Sequence, residues 1–189
     1  LMVIFSDGED AEVTEAGRLP ARSRAEVLRS KGVLLRYVGR TREAVEAYAE
    51  AIAVFRKVGA RRAEARAKNS LAFAMLVMER FEDTVAVANA SIAIDLAIGG
   101  RFQIAKTLSN IGQAYARLGD VTTGLAYMRQ SRDAHERYGD QDGRADTLLA
   151  FAHILLEVGD VDTAQNHVGD AGALIAVTGS MYDAVHEHI

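Results

Sequence analysis

Apolar residues recur along this chain at helical spacing, and the spacing itself repeats every 40 residues. Stepping by 40 connects Leu28, Lys68, Leu108 and Leu148, then Lys31, Leu71, Ile111 and Phe151, then Leu35, Met75, Tyr115 and Leu155, then Val38, Met78, Leu118 and Val158. Within one unit these rows, with a Gly/Ala row at Gly32, Ala72, Gly112 and Ala152, lie at steps of three, one, three and three residues. That is an apolar stripe on one face of an α-helix. A second stripe follows in each unit, at Ala44/Thr84/Gly124/Ala164, Tyr48/Ala88/Met128/Val168 and Ala51/Ser91/Ser131/Ala171. Each unit therefore predicts two helices.

Breakers fall at the same period. One series is Gly39, Glu79, Gly119, Gly159; the other is Gly59, Gly99, Gly139, Gly179. Glycine after a helical run caps it, because it enters the left-handed region without strain. Two interleaved series with one period are the signature of a solenoid. The small rows on both helices predict close helix approach, with small and large residues interlocking.

This small–large alternation resembles the tetratricopeptide repeat, in the 40-residue form seen in kinesin light chains and many bacterial regulators. It maps onto Gly112, Tyr115, Gly124 and Ser131 in the third unit and onto Gly32, Leu35, Ala44, Tyr48 and Ala51 in the first. The family proline after the second helix is replaced by glycine, the family tryptophan is missing, and Glu79 stands in place of one turn glycine. Lys31, Lys68 and Arg132 interrupt apolar rows. HEAT-type helical pairs share this period, but the Gly/Ala rows fit tetratricopeptides better. The expected fold is an all-α solenoid of antiparallel helix pairs, a right-handed superhelix if the resemblance holds. The expected division is an acidic leader or helix remnant over 1–19, four repeats over 21–180 (21–60, 61–100, 101–140 and 141–180), and the start of a fifth inner helix over 181–189.

Composition narrows the function classes. The chain lacks cysteine, which excludes disulfides and thiolate metal sites. Its net charge of −4 argues against whole-surface attraction to nucleic acid or anionic membrane. No apolar run approaches the about 20 residues that span a bilayer. Arginine far outnumbers lysine and alanine is abundant, as in GC-rich bacterial genomes. A cytoplasmic setting is expected. The chain does not begin with methionine, and its last unit stops early, so it reads as a piece of a longer protein. The single proline, Pro20, stands just ahead of the first good helix. Asp120 and Asp160 are placed to cap second helices.

Charge changes sign along the start of the chain. Asp7, Glu9, Asp10, Glu12 and Glu15 precede a basic stretch in which Arg18, Arg22, Arg24, Arg29, Lys31, Arg36, Arg40 and Arg42 face a single acid, Glu26. The leader could fold onto this face, its own or a neighbour's. Apolar edges at the two ends of the array also suit a homodimer formed end to end.

The resemblance implies that first helices line a concave groove for a peptide. Carried over by position, the groove residues are Arg29, Arg36, Arg66, Asn69, Phe73, Lys106, Asn110, Gln113, Arg117 and His153. Arginine offers forked donors to a carboxylate, and asparagine both donates and accepts. An acidic or C-terminal peptide is the expected partner. Val33 and Ser70 break the carboxylate clamp of chaperone-binding members, so chaperone tails are not expected. The histidines offer no metal site: His186 and His188 do not share a helix face, and His135, His153 and His167 fall on three different helices. Tyr115 and Tyr127 lie at core spacing and read as packing. No Gly-rich phosphate loop, Ser-His-Asp set or paired-carboxylate pocket is present. The expectation is a non-catalytic interaction scaffold without cofactor, part of a bacterial signalling or regulatory protein. The alternative is an oligomerisation module whose groove its own leader fills.

Overall fold

The computed structural model describes residues 19–100 and 102–186. Eight helices occupy them: α1 (Ala21–Tyr37), α2 (Thr41–Lys57), α3 (Arg61–Val77), α4 (Phe81–Ala97), α5 (Phe102–Arg117), α6 (Val121–Tyr138), α7 (Gln141–Glu157) and α8 (Val161–His186). Each helix packs on its chain neighbours. The odd-numbered helices also touch one another, α1 on α3, α3 on α5 and α5 on α7, whereas the even-numbered ones touch only their neighbours in sequence. The odd helices therefore form the tighter, inner layer of an α-solenoid.

The turns follow from backbone chemistry. At each within-pair turn the residue after the breaker donates its N–H five residues back, as Arg40 does to the Leu35 carbonyl at 2.8 Å and Arg80 to Met75 at 2.9 Å. This closure needs a left-handed residue between. Gly39, Gly119 and Gly159 supply it, with φ of 79°, 91° and 84°. Glu79 is forced into the same region, at φ 59°. A side chain there costs about 1–2 kcal/mol. Glu79→Gly is therefore expected to raise stability, by up to about 1 kcal/mol once the freer unfolded chain is counted. A urea midpoint that falls instead would refute this.

The core comes from the pairing of rows. Where the second helix brings a large residue, the first helix has glycine: a Cβ on Gly32 would stand 2.6 Å from the Tyr48 ring, and one on Gly112 2.8 Å from Met128 Sδ. Where the second helix brings Ala88, the first has Ala72, and both are buried in one cluster. The serines in the small row also bond: Ser91 and Ser131 each donate at 2.8 Å to a first-helix carbonyl, of Ala65 and Ala105. Tyr115 and Tyr127 stack on each other, 5.6 Å between centroids, within the packing of α5 on α6. Asp120 and Asp160 cap α6 and α8 by accepting from Thr123 and Thr163 N–H.

One expectation fails. The chain does not break at Gly179 to start a fifth helix at 181; α8 continues through it to His186. Nothing stands within 4 Å of where a Gly179 side chain would be, so no packing pulls the chain into a turn. Intrahelical hydrogen bonding then continues by default. Residues 187–189, and the leader apart from Leu19, lie outside the described residues.

Candidate functional site

The inner layer encloses a cavity of about 610 Å³. Val33, Arg36, Asn69, Ser70, Phe73, Lys106, Ser109, Asn110, Gln113, Asp146 and Ala150 line it from α1, α3, α5 and α7. A second cavity of about 430 Å³ is lined by Leu76, Val77, Phe81, Leu149 and Ile154, with Arg117, His153 and Glu79. Phe73, Gln113 and Ala150 border both. The two are thus halves of one groove; polar residues predominate among those lining the first and apolar residues among those lining the second.

Of the residues expected in the groove, Arg36, Asn69, Phe73, Lys106, Asn110 and Gln113 line the first half, and Arg117 and His153 the second. Arg29 and Arg66 line neither cavity. Both are held by Glu26, at 3.0 Å each, and Glu26 thereby joins α1 to α3. Arg117 pairs with Glu157 at 2.7 Å, and His153 stands 3.3 Å from the same carboxylate. The cations left to a ligand in the first half are Arg36 and Lys106, neither in an ion pair among the described residues, with Asp146 the one carboxylate on its wall. The Arg36 guanidinium lies 4.6 Å from the centre of the Tyr37 ring and 4.9 Å from that of Phe73. Such stacking fixes a guanidinium without using its in-plane donors.

The asparagines are already joined. Asn110 donates its Nδ2 to Asn69 Oδ1 at 2.9 Å, and the Thr107 hydroxyl stands 3.1 Å from that oxygen. This leaves Asn69 Nδ2 as a donor and Asn110 Oδ1 as an acceptor, the complement of a peptide unit.

Two floor residues come from outer helices and were not expected in the groove. Tyr48 on α2 and His135 on α6 are buried and line the first half. Tyr48 reaches it over Gly32. His135 reaches it over Gly143, where any side chain would collide with its ring and with Asp140. The signal available in sequence was the glycine at those two first-helix positions. The Tyr48 hydroxyl and His135 Nε2 have no protein hydrogen-bond partner. Burial pushes the Tyr48 phenol up, and the neighbouring Arg36 opposes the rise without reaching hydrogen-bond geometry. Burial pushes the His135 imidazole down, although Asp140 Oδ2, 3.0 Å from Nδ1, pulls the other way. The balance favours the neutral imidazole, and Nε2 is an acceptor if Nδ1 carries the proton to Asp140.

Away from the groove, two further buried acids were not anticipated. Glu64 receives Arg56 at 3.2 Å and Arg61 at 2.9 Å where α2 meets α3. Asp95 is buried with Oδ2 unpartnered, and burial raises its pKa against the opposing charge of Arg62. Among the described residues no group of histidines and acids could hold a metal, and no helix is long and apolar enough to cross a membrane.

Fold and groove together define a class: an α-solenoid of helix pairs whose inner helices line a groove. Residues 103–171 match the family profile of the tetratricopeptide repeat. The likeness to that family is therefore carried by sequence over this stretch and by fold over the array. A sequence comparison with the curated proteins finds no match. Among solved structures, the Rap conjugation gene regulator of the plasmid pLS20, in complex with the Phr* peptide, is similar with TM-score 0.76 and 18% identity, over 91% of this chain and 47% of that one. Aspartyl phosphate phosphatase F from Bacillus subtilis gives 0.74 and 14%, over 86% and 43%. A kinesin light chain protein of Podosopora anserina with nearly identical TPR-like repeats gives 0.62 and 18%, over 88% and 81%. The chain spans less than half the length of the first two.

Proposed function

We propose that this chain is a protein-interaction scaffold that receives an extended peptide along its inner helices, with an acidic side chain or C-terminal carboxylate at Arg36 and Lys106. The observation that carries the reading is the first half of the groove. It combines two cations that stand outside any ion pair among the described residues with a donor and acceptor on Asn69 and Asn110. The more apolar half accepts a hydrophobic residue of the same peptide. A solenoid suits this role because its narrow core leaves one long face open. The peptide seen with the Rap conjugation regulator supports the reading by analogy of fold. We place the chain in a larger bacterial signalling or regulatory protein, acting by binding and not by catalysis.

Fluorescence anisotropy with three labelled peptides tests it. One carries an acidic residue and a free C-terminus, one the same sequence amidated and neutral, and one a basic residue. The acidic peptide is expected to bind tightest, with affinity falling as salt rises. Equal binding of all three would overturn the reading. Tighter binding only after removal of residues 1–18 would show instead that the acidic leader fills the groove.

A further inference from the structure

The charges along the first half of the groove change sign from one end to the other. Each end rests on a buried floor residue, seated where an inner helix has glycine: Tyr48 behind Gly32 of α1, and His135 behind Gly143 of α7. One helical turn beyond each glycine stands a charged residue on the same face, Arg36 on α1 and Asp146 on α7. Both line the cavity. The Arg36 charge acts on Tyr48 and the Asp146 charge on His135, in keeping with that seating. Lys106, on α5, also acts on His135, yet no ion pair among the described residues joins it to Asp146. The inner helices thus present, from α1 to α7, a cation, neutral groups, a cation and an anion.

A wholly acidic ligand satisfies Arg36 and Lys106 but sets its own negative charge against Asp146. A ligand with an acid toward α1 and a cation toward α7 satisfies all three. The reverse arrangement meets like charge at both ends, and such mismatches reject wrong partners. The separation follows from helix spacing. The Arg36 guanidinium lies 4.9 Å from the centre of the Phe73 ring, so the cation stands over α3. Asp146 is two inner helices further on, seven positions before His153, the repeat equivalent of Phe73. Two steps of about 8–10 Å between helices and about 10 Å along the axis put the charges roughly 20 Å apart. An extended chain covers that distance in about six residues.

We propose that the peptide received here carries both signs of charge: an acidic group on Arg36 and an ammonium or guanidinium on Asp146, about six residues away. The inference rests on the peptide-binding reading above and narrows its ligand to a short peptide of mixed charge. Between the two anchors the backbone passes the Asn69–Asn110 pair, on α3 and α5, where the remaining donor and acceptor meet a peptide unit.

Fluorescence anisotropy with the full chain tests this. The reference peptide is acetylated and amidated, with one glutamate and a glutamine six residues from it. Two companions replace that glutamine by lysine, one on the N-terminal side of the glutamate and one on the C-terminal side. A fourth places the lysine two residues from the glutamate, and a fifth offers the cation as a free N-terminus instead. Lysine at six residues, in at least one order, is expected to bind at least about tenfold tighter than the reference, the scale of one charge-assisted hydrogen bond. The favoured order gives the direction of the bound chain, and the fifth peptide separates a terminal ammonium from a side chain as the source of the cation. Asp146→Asn is expected to abolish the gain and to tighten the reference peptide, which then meets no opposing carboxylate. The proposal is overturned by a lysine that adds nothing in either order, by an equal gain at two residues, or by a gain that survives Asp146→Asn. If the reference binds and lysine adds nothing, the charge pattern alone is wrong. If no peptide binds, the peptide reading fails and this inference falls with it.

Discussion

Gly124→Ala is expected to destabilise the protein by about 2 kcal/mol, in the usual range for overpacking a closed core, even though alanine is the better helix former. α5 and α6 cross where Gly112 faces Gly124. A Cβ on Gly124 would stand 2.8 Å from the Gly112 carbonyl oxygen and 2.9 Å from the Ala116 nitrogen. Both are backbone atoms of a helix, so neither can swing aside as a side chain could. The helices must separate by several tenths of an ångström, loosening Ile111 and Met128, both buried. For a chain of this size the loss corresponds to a melting point lower by roughly 4–8 °C. The same chemical change at Gly169 should have the opposite sign. It lies inside α8 with no heavy atom within 4 Å of an added Cβ, so alanine there gains about 1 kcal/mol of helix propensity. The pair of melting curves isolates close approach from propensity. A Gly124→Ala protein at least as stable as wild type would show that the α5–α6 crossing is not tight.

What could be read from sequence was whatever a 40-residue step makes repetitive. The row holding Gly32, Ala72, Gly112 and Ala152 announced close helix contacts, and the residues 16 further on, Tyr48, Ala88, Met128 and Val168, carry the complementary sizes. Even Glu79 was legible as a turn position, although its strained φ was not. Three things escaped because they are tertiary. A row assigns a residue to a helix face, but not how far its side chain reaches: Tyr48 and His135 belong to outer helices and still form the groove floor. Nor does a row reveal which charges cancel. Arg29 and Arg66 sit on the expected face, and a single carboxylate, Glu26, takes both. The last is continuation. A glycine permits a turn but does not compel one, and at Gly179 nothing packs to compel it.

The cancellation of Arg66 decides where charge reversal will matter. Arg36→Glu with Lys106→Glu is expected to weaken binding of the acidic peptide at least about 100-fold, because two charge-assisted hydrogen bonds of ~1.5–3 kcal/mol each are lost. Repulsion from the two new carboxylates beside Asp146 adds to the loss. Arg36 contributes through geometry as well as charge: the rings of Tyr37 and Phe73 hold its guanidinium in place before a ligand arrives. Little conformational entropy is then lost on binding. Arg66→Glu serves as the control. It reverses one charge, half the change of the double variant, and does so in an exposed ion pair with Glu26 that lines neither cavity. Its effect on affinity is expected to stay within about threefold, in keeping with the ~0–1 kcal/mol of exposed pairs. Folding should survive the double change, because neither side chain belongs to the buried core. Circular dichroism checks that. If the Arg36/Lys106 variant binds the acidic peptide as wild type does, the cationic half of the groove is not the recognition element. If Arg66→Glu alone abolishes binding, the ligand lies across α1 and α3 outside the two cavities, and the placement of the site is wrong.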